Sequence, residues 1–115
     1  MKTSKEDFKI FKDEFIKWQK RLGLQGYEIR FEVAKDDANY ASIAIAERSK
    51  TALVTFSKFI KERDKPWHDP KAHAKHEVIH LLLHRLVYLG QERYTISGEI
   101  LQEWEKLVVI LEKVL

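Results

Sequence analysis

Cysteine is absent from the 115 residues. That excludes a disulfide framework, a thiolate metal site and a thiol nucleophile. Proline occurs twice and glycine four times, too few for a collagen-like or low-complexity chain. No charge sign dominates: 21 Lys and Arg against 18 Asp and Glu leave a formal net charge of +3. The two signs are interspersed without a basic block, so no clear nucleic-acid binding is expected. No apolar run approaches the roughly 20 residues of a membrane-spanning helix, and no membrane partner is expected. Met1-Lys2-Thr3-Ser4-Lys5 lacks the apolar core of a signal peptide, which makes a cytoplasmic location the expectation.

Hydrophobic residues make up 44% of the chain and charged residues 34%, the balance of a soluble domain with one modest core. A single domain over residues 1–115 is expected, of α+β class. Thr3 and Glu6 form a capping-box pattern. Phe8, Phe11, Phe15, Trp18 and Leu22 then recur at spacings of three and four, an amphipathic helix stopped by Gly23. Tyr27, Ile29, Phe31 and Val33 alternate with Glu28, Arg30 and Glu32, a half-buried strand. Asp36, Asp37 and Asn39 mark a turn. Residues 40–46 and 51–56 read as a hairpin across a polar turn at 47–50, so the three-stranded sheet is expected to be mostly antiparallel. Ala41, Ser42 and Ala44 on an edge strand would let another backbone approach closely.

All five histidines lie between His68 and His84. Asp69 is a good N-cap, with Pro70 at the first helical position, where its missing N–H costs nothing. The predicted helix runs to Leu89 and stops at Gly90. Ala72, Val78, Ile79, Leu82, Leu83, Leu86 and Leu89 are expected to face a core. His76-Glu77-Val78-Ile79-His80 reads H-E-x-x-H within that helix. Residues four apart lie about 40° apart around the axis and about 6 Å along it, so both imidazoles reach one Zn²⁺ from one face. Glu77 is placed to act on a Zn-bound water as catalytic base without binding the metal.

The third ligand must come from elsewhere. His84 lies about 12 Å along the axis from His76, too far for one unbroken helix to present all three rings to one ion. It is expected to be a partly exposed polar residue or a group behind the ligands, and His73 to be solvated. His68 and Trp67 fall in the loop before the helix, near its start. A C-terminal helix from Ser97 to Leu115 offers two carboxylates beside an apolar stripe of Ile100, Leu101, Trp104, Leu107, Val108, Leu111, Val114 and Leu115. Glu105 has Leu101, Val108 and Val109 as helical neighbours; an acidic group among apolar neighbours needs a partner. Glu105 is therefore the favoured ligand, with Glu103 the alternative. Tyr88, Tyr94 and Arg85 are candidates for stabilising the oxyanion.

The motif helix followed by Glu99-Ile100-Leu101-Gln102-Glu103-Trp104-Glu105 resembles the gluzincin zinc peptidases, and most closely their minimal versions, the minigluzincins and small phage-type metallopeptidases. The resemblance covers the whole order of elements and implies a zincin-like fold. It implies a Zn²⁺-dependent metallopeptidase with His76, His80 and Glu105 as metal ligands and Glu77 as base, acting on a peptide or protein substrate laid along an edge strand. Larger gluzincins carry a further subdomain after the glutamate helix. A latent or non-catalytic zinc-binding domain, a zymogen-like form acting through protein interaction or as a homo-oligomer, is the alternative. A SprT-type DNA-associated protease is a second one, opposed by the even charge mixture.

Overall fold

The computed structural model describes residues 2–35, 40–61, 65–66, 68–91 and 97–114. The expected turn at 36–39, Trp67 and Tyr94 lie outside the described residues. Six elements follow in order: α1 (Lys5–Arg21), β1 (Glu28–Ala34), β2 (Ala41–Ala46), β3 (Thr51–Ser57), α2 (Pro70–Gln91) and α3 (Ser97–Val114). This is an α+β arrangement of three helices and one small sheet. Among the described residues, no helix is long and apolar enough to cross a membrane.

The cap of α1 lies one residue later than the sequence pattern indicated. Ser4 Oγ accepts from the Asp7 amide, and the Asp7 carboxylate accepts from the Ser4 amide. Thr3 instead donates its hydroxyl to the carbonyl of Ser57, tying the N-terminus to the end of β3. The helix closes at Leu22, and Gly23 follows at φ 72°, a left-handed position that an L side chain resists.

The sheet order is β1-β3-β2, so β2 is an edge strand. β2 and β3 pair antiparallel as expected, with Ile43 opposite Val54. β1 pairs with β3 in parallel, with Phe31 opposite Val54. The sheet is thus mixed rather than mostly antiparallel.

One sheet face carries the core. Ala52, Val54 and Phe56 of the central strand are buried, as alternation requires. Phe11 packs its ring 4.9 Å from Phe56, and Phe15 meets Phe31 edge-on at 5.4 Å. On the opposite face Thr55 donates to Glu32 across the strands, and Leu53 is exposed beside them. α2 lies between α1 and α3 and also approaches β2. It therefore buries Ala74, Val78, Leu81, Leu82 and Leu89. Ile79 and Leu83, expected in the core, are exposed.

Candidate metal centre

α2 starts as its sequence requires. Asp69 Oδ1 accepts from the amides of Lys71 and Ala72 at 3.1 and 3.3 Å. These bonds satisfy two of the amides that a helix start leaves unpaired. The cap fixes the phase of everything downstream. Leu81 and Leu82 point inward, and His76 and His80 point out into a cleft between α2 and β2. The cleft measures about 920 Å³, room for a segment of peptide rather than for a small ion alone.

The Nε2 atoms of His76 and His80 stand 3.1 Å apart, with the rings nearly perpendicular. Two nitrogens on one tetrahedral Zn²⁺, each at about 2.0–2.1 Å, would be about 3.3 Å apart. The pair fits that ion with almost no adjustment. Without metal, one ring must donate a proton to the other, since two lone pairs cannot face each other at this distance.

Glu77 lines the same cleft and is only 6% exposed. Burial pushes its carboxyl up to about 7, with no cation or donor among the described residues to offset the cost. A carboxyl in that range exchanges protons near neutrality, which suits a general base.

Two contacts pin β2 to α2 on either side of this trio. At one end the Tyr40 ring stacks on His73, centroids 4.3 Å apart and 10° from parallel. His73 Nε2 accepts from the Asp69 amide at 3.3 Å. Burial, then the neighbouring His68, holds the His73 ring below its ordinary pKa, with His76 acting the same way and Asp69 opposing. His73 is thus half-buried and packed, not solvated as its sequence position indicated. At the other end His84 Nδ1 meets Glu47 Oε2 at 2.8 Å.

The remaining sequence candidates fall elsewhere. His68 packs between Phe56 and His73 and lies 3.4 Å from Asp7 of α1. It does not line the cleft. Arg85 lies 4.0 Å from Glu47 and over the Tyr88 ring. On α3 the expected order of burial is reversed. Glu105 is exposed, whereas the Glu103 side chain is 14% exposed and pairs with Lys106 at 3.9 Å. Leu101 and Val109, the apolar neighbours that singled out Glu105, are themselves 56% and 45% exposed. Neither carboxylate lines the cleft. Among the described residues, no group of three or more His, Cys, Asp and Glu side chains stands in position to hold a metal ion.

Glu47 is the residue that sequence reasoning passed over. It read as part of a polar turn, yet its side chain is 2% exposed. Its partners Tyr27 and His84 are 20 and 37 positions away, and no local pattern announces contacts at that range.

No family model, curated protein or solved structure matches the chain.

Proposed function

We propose that the protein is a zinc-dependent metallopeptidase domain. The observation that carries this reading is the convergence of His76 and His80 Nε2 atoms beside a buried, unpaired carboxyl in one peptide-sized cleft. His76 and His80 would hold the ion. Bound there, Zn²⁺ supplies Lewis acidity toward water and toward a peptide carbonyl. Glu77 takes a proton from the attacking water and returns it to the leaving amine, so the carboxylate is regenerated in each cycle.

The cleft wall suggests how a substrate lies. Tyr40, Ala41, Ser42, Ile43 and Ile45 of the edge strand border it. A free edge offers unpaired amides and carbonyls to an extended peptide, so main-chain pairing can align the scissile bond without a deep side-chain pocket. The third protein ligand would come from α3. We place it at Glu103, the more shielded of the two carboxylates, rather than at Glu105.

A latent zinc-binding domain is the second reading. It is favoured by the position of α3, which leaves both carboxylates outside the cleft.

Zinc-loaded wild type and Glu77→Gln, incubated with a quenched-fluorescent peptide library, separate these readings. Cleavage by wild type and none by Glu77→Gln, with zinc bound to both, is expected. Zinc bound by both with no cleavage by either leaves the latent reading. A wild type that takes up no zinc refutes both.

A further inference from the structure

His84 lines the same cleft as the motif histidines, but its contact with the buried Glu47 takes no part in the scheme above. Glu47 directly follows β2 and its side chain is almost fully buried. Its Oε2 accepts from the Tyr27 hydroxyl and faces His84 Nδ1, both at 2.8 Å. Its Oε1 pairs with the Lys50 ammonium, with Arg85 4.0 Å away. Burial alone would raise the Glu47 carboxyl. The bonds from Lys50, His84 and Tyr27 outweigh it and hold the group below its ordinary value. Tyr27 is pushed the other way, by burial and by Glu47, and keeps its proton.

Those facts fix the imidazole. An ionised carboxylate only accepts hydrogen bonds, so the proton between Glu47 and His84 sits on Nδ1. The ring edge carrying Nε2 is the one left available on a side chain that lines the cleft and is 25% exposed. Glu47 does not need this partner for its own sake, since Lys50, Tyr27 and Arg85 already surround it. His84 follows His80 by one helical turn, about 6 Å along the axis. A peptide crossing the two motif histidines toward the end of α2 reaches His84 next.

We propose that His84 stabilises the tetrahedral state of the hydrolysed peptide bond, donating a hydrogen bond from Nε2 to the oxygen that gains negative charge, and that Glu47 is the residue that positions it. In the reacting complex the ring is an imidazolium that has taken its second proton from solvent: Nδ1–H is held by Glu47, and Nε2–H is hydrogen-bonded to the developing oxyanion without being transferred. No bond in the ring changes; the pair supplies a fixed donor where charge appears. The inference rests on the metallopeptidase reading, and its test separates the two.

Zinc stoichiometry is measured first, on wild type, His84→Ala, His84→Gln and Glu47→Gln. Affinity is then measured for two probes. One is a set of phosphinic pseudo-tripeptides bearing Ala, Leu or Phe side chains, which mimic the tetrahedral state. The other is acetohydroxamate, which needs only the metal. One zinc in every protein is expected, with unchanged hydroxamate affinity. Phosphinic affinity should fall more than about tenfold in His84→Ala, on the scale of one lost oxyanion donor. His84→Gln, which retains a donor, should recover part of the loss. Glu47→Gln should weaken phosphinic binding less than His84→Ala and add nothing to it in the double variant. Nitrogen-15 spectra of the imidazoles should show His84 protonated on Nδ1 in wild type and losing that preference in Glu47→Gln.

Wild type without zinc refutes the metallopeptidase reading and this inference with it. Zinc-loaded His84→Ala that binds the phosphinic peptides like wild type refutes the inference alone. So does a zinc-loaded wild type with no affinity for any of them.

Discussion

Glu77→Gln in metal-free protein tests whether the central carboxyl is as desolvated as its position implies. The wild-type group rises from 4.5 to about 7 on folding, by burial. Below pH 4.5 it carries its proton in both folded and unfolded chains and costs nothing. Between pH 4.5 and 7 the unfolded chain gives the proton up while the folded chain keeps it, so stability falls as pH rises. Above pH 7 the loss is complete. A shift of this size corresponds to about 3 kcal/mol, a large share of the stability of a domain this small. Glutamine keeps the shape and cannot ionise. Urea unfolding after dialysis against chelator, at pH 4.5 and pH 8, reads the effect as a double difference. Wild type should lose about 3 kcal/mol more than Glu77→Gln between the two pH values. Asp7 and Glu47, held below their ordinary values, contribute in the opposite sense, losing stability as pH falls. They are common to both proteins and cancel. Parallel pH profiles for the two proteins would show that Glu77 is solvated, and the case for a poised base would fail.

Two further outcomes test the assembly of the site. Glu103→Ala should lower zinc affinity by more than about tenfold, at least the loss expected for a supporting group, while Glu105→Ala leaves it unchanged in a competitive chelator titration. The reverse result gives the ligand role to Glu105, and no effect from either removes α3 from the metal site. Leu81→Ala should cost about 2–5 kcal/mol in urea unfolding, because Leu81 is fully buried and the truncation leaves a cavity. Leu83→Ala, at a side chain 37% exposed, should change stability by less than about 0.5 kcal/mol; equal losses would mean that the phase of α2 is misassigned.

The motif helix was readable because its signals are local. An N-cap, a proline at the first position and a four-residue histidine spacing all act within one or two turns, and Asp69, Pro70, His76 and His80 stand where those signals put them. The α1 stripe was readable for the same reason, with Phe11 and Phe15 fully buried. What failed depends on neighbours distant in sequence. Periodicity says which residues share a helix face, not whether another element covers it. Leu101, Trp104 and Val108 share a stripe on α3 but remain exposed, while Leu107 next to them is buried. Gly90 did not stop α2, which continues to Gln91. A glycine inside a helix costs only about 1 kcal/mol, and burial of Leu89 at 5% exposure offsets a cost of that order. The parallel pairing of β1 with β3 was likewise hidden, since strand patterning fixes the buried face and not the partner.

Glu77, in the cleft wall, and Glu47, behind the cleft-lining His84, show how one fold assigns opposite characters to two buried carboxyls. Glu47 lies among Lys50, Arg85, Tyr27 and His84, and its charge is stabilised inside the protein. Glu77 is raised by burial alone, so its charge is opposed. The first arrangement builds a fixed support that joins β2 to α2. The second keeps a group near its titration point, with no cation among the described residues to offset its burial. Under the proposed function Zn²⁺ at His76 and His80 would supply a cation beside it. Binding the ion would offset the charge penalty on Glu77 and replace the proton shared between the two imidazoles. Metal binding and proton release from Glu77 are then linked, so zinc affinity should rise with pH through the range near 7 in wild type. Glu77→Gln should lose part of that rise. The histidine nitrogens account for the rest, because each must shed its proton before it can bind the ion.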